Sequence, residues 1–184
     1  MTRHDRLAEH LQRLVHVVRS IGLKRSLTAV DSHPRLNFWR LIYGNQLDIS
    51  VIEWCKVFGS GAEATHWKKL VPMRDHSRFR SSLLAYASLT QGEWASYWKK
   101  MKEYRDNLAA HHNSAVRVPN FPKLDVALDS SFFYYAYIIG ELRQLGDTRF
   151  PDDLQKYSVN FELLARKVAA KALASTRRFK ESVG

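Results

Sequence analysis

A single cysteine, Cys55, stands among the 184 residues, so no intramolecular disulfide can form and no cysteine-rich zinc site is available. No window approaches the roughly 18 consecutive apolar residues that a membrane span needs. The richest stretch, Phe132 to Leu142, is short and is interrupted by Gly140 and Glu141. The N-terminus, Met1-Thr2-Arg3-His4-Asp5-Arg6, runs into mixed charge and leucine, without the apolar centre of a signal peptide. A cytoplasmic location without membrane contact is therefore expected. Strand-like alternation with hairpin turns, internal repeats and low-complexity linkers are all missing. So are a phosphate-binding Gly-rich loop followed by Lys-Ser/Thr, Gly-x-Gly-x-x-Gly, His-Glu-x-x-His and Gly-x-Ser-x-Gly. Those absences remove the common NTPase, dinucleotide, zincin and hydrolase readings, and leave no metal site and no cofactor expected.

Acid is scarce. Against 18 Asp and Glu stand 29 Lys and Arg, a formal net charge of +11. A potential of that sign attracts polyanions and speeds encounter with them, which points to nucleic acid ahead of a merely solvated surface. Arg74, Arg78, Arg80, Lys99, Lys100, Lys102 and Arg105 form a middle basic group, and Arg166, Lys167, Lys171, Arg177, Arg178 and Lys180 a C-terminal one. The apolar content of 45% and the five Trp, eight Tyr and nine Phe are enough to build one core, so a single domain over 1–184 is expected.

Helical spacing dominates. Leu7, Leu11, Leu14, Val18 and Ile21 recur in steps of three and four, one stripe on a first helix that Gly22 should end. Pro34 suits the first position of a second helix carrying Leu36, Trp39, Ile42, Tyr43, Ile49, Ile52 and Val57 and stopping at Phe58-Gly59-Ser60-Gly61. A short helix over 63–71, closed by Pro72, and another over 74–89 follow. Thr90 and Glu93 form a capping-box pattern opening a helix to about His112, and 113–123 should be a loop. Residues 124–145 read as a strongly aromatic helix ending at Gly146. A last helix starts near Pro151-Asp152-Asp153 and uses Leu154, Tyr157, Phe161, Leu164 and Val168. The expected fold class is all-α, a bundle of about six or seven helices. His4, His10 and His16 recur in steps of six, unsuited to paired metal ligation, and read as surface or boundary residues.

The stretch that carries chemistry is Glu103-Tyr104-Arg105-Asp106-Asn107-Leu108-Ala109-Ala110-His111-His112-Asn113. An imidazole titrates near neutral pH and can take or give a proton, while a guanidinium stays charged and can grip phosphate oxygens in pairs. On a regular helix, His112 returns above Arg105 and His111 is turned about 120° away. A surface ion pair at Arg105 and a dipole-favoured His at the helix end would give the same pattern without chemistry.

Arg105, the polar Asp106, five residues from Arg105 to His111 and Ala110 before His111 resemble the signature of the HEPN ribonuclease family, late on a helix of an all-helical bundle. The resemblance is sharp over about seven residues and loose over the rest of the chain. It implies a HEPN-like helical bundle and metal-independent RNA cleavage, in which the 2′-hydroxyl attacks the adjacent phosphate and leaves a 2′,3′-cyclic phosphate and a 5′-hydroxyl. By that resemblance Arg105 and His111 are catalytic, with Asp106 orienting either partner and His112 in reserve. Lys102, Asn107 and Lys99 would contact substrate. It also implies RNA as partner, a homodimer with a composite active site, and a role as a toxin or phage-defence effector, with an antitoxin protein as possible partner. Other members bind nucleotides or proteins without cleaving RNA, so an inactive binding module is the alternative, ahead of a basic helical nucleic-acid-binding regulator. Trp54 to Gly59 and His66 to Leu70 could line an RNA groove with Trp67 as a stacking platform, or could be core.

Overall fold

The computed structural model describes residues 1–109 and 121–179. Among them are six α-helices and no strand: α1 (Arg3–Val30), α2 (Asn37–Phe58), α3 (His76–Tyr86), α4 (Gln91–Tyr104), α5 (Asp125–Gln144) and α6 (Leu154–Thr176). Short 3-10 turns, Trp67–Lys69 and Met73–Asp75, link α2 to α3, and a π-helical turn, Arg105–Ala109, follows α4. The protein is thus the all-α bundle its spacing predicts. No described helix is long and apolar enough to cross a membrane.

α1 is the central helix and packs against α2, α5 and α6. Its expected stripe of Leu7, Leu11, Leu14, Val18 and Ile21 is fully buried, and Val17, Ser20, Gly22 and Ser26 are buried as well. A helix covered on several sides needs more than one stripe. Gly22 does not end it. A Cβ there would lie 3.1 Å from the Phe161 ring of α6, and one turn on, the Ser26 hydroxyl donates to the Glu162 carbonyl at 3.0 Å. The glycine marks the α1–α6 crossing, a contact invisible in local spacing.

The second helix begins at Asn37, three residues beyond Pro34, whose carbonyl instead accepts from Arg40 Nε at 2.9 Å. Its buried face is Tyr43, Leu47, Val51, Trp54, Cys55 and Phe58, while Ile49, expected inside, is 41% exposed. At its end the Gly59 N–H donates to the Cys55 carbonyl at 2.8 Å, and a Cβ on Gly59 would come within 2.4 Å of that same oxygen. Here the expected stop holds, with a steric reason.

The helix expected over 63–71 is only the Trp67–Lys69 turn, and the one expected over 74–89 is α-helical from His76 to Tyr86. The Thr90 capping box forms as expected: Thr90 Oγ1 accepts from the Glu93 N–H at 3.2 Å, and Glu93 Oε2 from the Thr90 N–H at 2.8 Å. Asp153 caps α6 by accepting from the Lys156 N–H at 2.9 Å. The face of α6 differs from the expected one. Ser158, Ala165, Ala169 and Leu173 are buried with Leu154, whereas Leu164 and Val168 are about three-fifths exposed. Small residues let α6 come close to α1, which no periodicity of large apolar residues reveals.

The core joins the helices through aromatic contacts. The Trp54 ring lies 5.3 Å from Phe58, 5.9 Å from Trp94 and 5.5 Å from Tyr97, and Phe79 bridges from Trp67 to Tyr134. Trp67 is 5% exposed and stacked on Phe79, so it is core and not a free platform.

His10, expected at the surface or a boundary, is 1% exposed and hydrogen-bonded through Nδ1 to the Tyr134 hydroxyl at 2.8 Å. Burial pushes it from 6.5 down to about 4, and burial does the same to His66, helped by Lys68 and Lys69. The folded protein therefore resists protonation that the unfolded chain accepts near pH 6.5, so stability is highest above that pH. It is expected to fall as pH drops from 6.5 towards 4, with His10 responsible for up to about 3 kcal/mol. Asp147, held well below the usual carboxylate range by Arg149, stays ionised through this window. Thermal unfolding at pH 7.5, 6 and 4.5 checks this; a Tm that stays flat over the range would contradict it.

Candidate active site at the end of helix α4

Winding changes at Arg105. The Tyr104 hydroxyl donates to Asp48 Oδ1 of α2 at 2.6 Å, and the Tyr104 ring meets Phe121 edge-on at 6.0 Å. Burial and the Asp48 bond raise the Tyr104 phenol. The Asn107 amide donates to the Glu103 carbonyl at 2.9 Å, a local bond that competes with regular backbone pairing. The expected helix to His112 thus stops being α at Tyr104 and continues as the π turn. Such turns widen the winding and are frequent at functional sites. The face arithmetic that sets His112 above Arg105 assumes α winding throughout and does not hold across this turn. His111 and His112 lie outside the described residues.

The Arg105 side chain is 19% exposed, and its Nε and Nη2 both reach Asp106 Oδ1, at 2.7 and 2.6 Å. Asp106 is half exposed at 50%. Cys55 is fully buried behind this end of α4, its Sγ 3.8 Å from the Met101 carbonyl, and burial pushes the thiol up to about 12. A thiol so disfavoured from ionising is structural, not nucleophilic.

Of the expected substrate contacts, Lys102 holds its Nζ 4.7 Å above the Trp98 ring, and Lys99 lies 3.7 Å from Glu103 with both side chains mostly exposed. Asn107 is occupied by the Glu103 carbonyl. Arg105 and Asp106 are thus brought together, with Lys102 one turn back on α4. Sequence reasoning missed Asp48 and Tyr104, which anchor the site to α2; their partnership spans 56 residues and leaves no local signal. A cavity of about 400 Å³ opens beside Tyr104, walled by Lys24, Gly44, Asp48 and Phe121. Among the described residues, no group of three or more His, Cys, Asp or Glu side chains could hold a metal ion.

Comparison of the chain with protein-family models, curated proteins and solved structures finds no match.

Proposed function

We propose that the protein is a HEPN-like, metal-independent endoribonuclease. The observation that carries the reading is the Arg105 guanidinium: it is mostly enclosed at the end of α4 and, among the described residues, tied only to Asp106 through Nε and Nη2, six residues before His111. Among the described residues that arrangement leaves Nη1 for a phosphate oxygen, in the plane of the guanidinium. In the proposed reaction the ribose 2′-oxygen attacks phosphorus while its proton passes to a base, and the P–O5′ bond breaks as the leaving oxygen is protonated. His111, with His112 in reserve, moves the proton, and Arg105 stabilises charge on the non-bridging oxygens. The protein then acts as a homodimer, with the Arg and His of both subunits composing the site. A toxin or phage-defence role in the cytoplasm, with an antitoxin as partner, belongs to the same reading.

A second reading, an inactive nucleotide- or protein-binding module, draws on a different observation. Arg105, Lys99, Lys102 and Asn107 are all engaged with neighbours in the chain. The experiment that separates the two is incubation with mixed RNA in EDTA, followed by analysis of product ends. Cyclic phosphate and 5′-hydroxyl ends support the nuclease; intact RNA with a dimeric protein supports the binding module.

A further inference from the structure

We infer that the groove between residues 59–68, α3 and the first half of α4 binds a nucleotide unit of single-stranded RNA. This groove has a volume of about 380 Å³, and its walls include Gly59, His66, Lys68, Arg80, Gln91 and Trp98. Among the described residues, no carboxylate lines it. Arg80 is half-buried and makes no ion pair or hydrogen bond among the described residues, and Lys68 is exposed with its Nζ 5.6 Å from the Trp67 ring centre. Two cations lining one groove, with no acid beside them among the described lining residues, select an anion. The cavity beside Tyr104 is different: Asp48 is on its wall, and Arg25 is held by Asp125 at 2.6 Å.

Two more features favour a base attached to that anion. The Trp98 Nε1–H donates to the Phe58 and Gly59 carbonyls at 2.8 and 3.2 Å, which fixes an aromatic ring on the wall of the groove. A fixed ring is a surface on which any base can pack, independent of sequence. His66 Nδ1 accepts from the Lys68 N–H at 3.3 Å. Burial keeps this imidazole neutral, so Nε2–H is left as a donor to a base or phosphate oxygen.

The groove also has a continuous path to the candidate site. Gln91, Ala95, Trp98 and Lys102 follow one another on one face of α4 in steps of four, three and four, and Arg105, the C-cap that opens the π turn, comes three residues later. At 1.5 Å per residue, Trp98 lies about 10 Å from Arg105 along the axis, with Lys102 above the Trp98 ring between them. A strand gripped at Arg105 can thus continue along α4 into the groove. Bases in a duplex are stacked and paired, so the groove fits a single strand. The polymer's identity rests on the RNA reading above, while binding itself does not depend on cleavage.

The test uses a fluorescein-labelled 2′-O-methyl RNA oligonucleotide, which cannot be cut by 2′-hydroxyl attack, and reads affinity by anisotropy. The double variant Lys68→Ala/Arg80→Ala is compared with Arg177→Ala/Arg178→Ala, which removes the same charge after α6. The groove variant should bind about tenfold more weakly or worse, and its salt dependence should flatten by one to two phosphate contacts. The control should change less than about threefold, since it keeps both groove cations and loses only distant, screened charge. Equal loss in both, at equal Tm, would overturn the inference in favour of net charge alone. AMP bound at the groove with the oligonucleotide unbound would also overturn it, in favour of a free nucleotide. With unmodified RNA, the groove variant should raise KM and leave kcat nearly unchanged. Cleavage with KM unaltered sinks the groove and spares the nuclease. No cleavage by wild type, with binding still lost in the groove variant, sinks the nuclease and spares the groove.

Discussion

Trp54→Ala should destabilise the protein by about 3–5 kcal/mol, the largest single loss expected from any core substitution. Trp54 is fully buried on α2 and meets Phe58, Trp94 and Tyr97, so its removal opens a cavity between α2 and α4. Its Nε1–H donates to Ser130 Oγ at 2.9 Å, and the Ser130 hydroxyl donates in turn to the Val126 carbonyl at 2.7 Å. Truncation therefore also leaves a buried hydroxyl short of one partner. Against a typical total of about 5–15 kcal/mol, the loss would leave a substantial unfolded fraction. Trp54→Phe should cost less, since it keeps a ring in place. Trp39→Ala should cost less again, because Trp39 is only half-buried and its Nε1–H bonds to Thr176 near the end of α6. Denaturant midpoints of the three variants rank them; a Trp54→Ala midpoint equal to wild type would refute the account of the core.

Arg105→Ala should slow RNA cleavage by about 10²–10³-fold, the loss expected when a preorganised donor to the reacting phosphate is removed. Folding should be little affected, because among the described residues the side chain that Arg105 holds is Asp106 beside it. Arg105→Lys should recover little, since an ammonium cannot bond Asp106 and a phosphate oxygen in one plane as a guanidinium does. His111→Ala should cost about 10²–10⁴-fold, the range for loss of a positioned proton carrier. If His111→Ala keeps full activity while His112→Ala loses it, the roles of the two are exchanged. Initial rates on a labelled RNA in EDTA, alongside binding of the 2′-O-methyl oligonucleotide, separate these losses from a loss of affinity.

What could be read in the residues alone was whatever is written locally. The Thr90 capping box, the α1 stripe from Leu7 to Ile21 and the stop at Gly59 depend on neighbours within a turn or two, and the structure has each of them. Features decided by a distant partner were not legible. Gly22 looked like a helix end because the Phe161 ring that explains it is on α6. Leu164 and Val168 looked buried because the buried face of α6 includes Ser158, Ala165 and Ala169, too small to register as a stripe. His10 looked like a surface or boundary residue on the first helix, because its partner Tyr134 is on α5.

The same division runs through the candidate site. The pairing of Arg105 with the adjacent Asp106 is a matter of sequence. The π turn is not, since it accompanies Tyr104 reaching Asp48 on α2 and Asn107 capturing the Glu103 carbonyl. Of the two readings open for Trp67, platform or core, the structure has core, and a groove lies beside it. Its walls come from Gly59, Lys68, Arg80 and Trp98, on four separate stretches of chain that only the fold brings together.

The central claim is RNA cleavage that depends on Arg105 and not on a metal ion. The most direct measurement is the initial rate of cleavage of a labelled single-stranded RNA in EDTA by wild type and by Arg105→Ala, purified identically. The account predicts products with 2′,3′-cyclic phosphate ends from wild type, and a rate at least about 100-fold lower from the variant. Equal rates from the two proteins, or RNA left intact by a dimeric wild type, would contradict it.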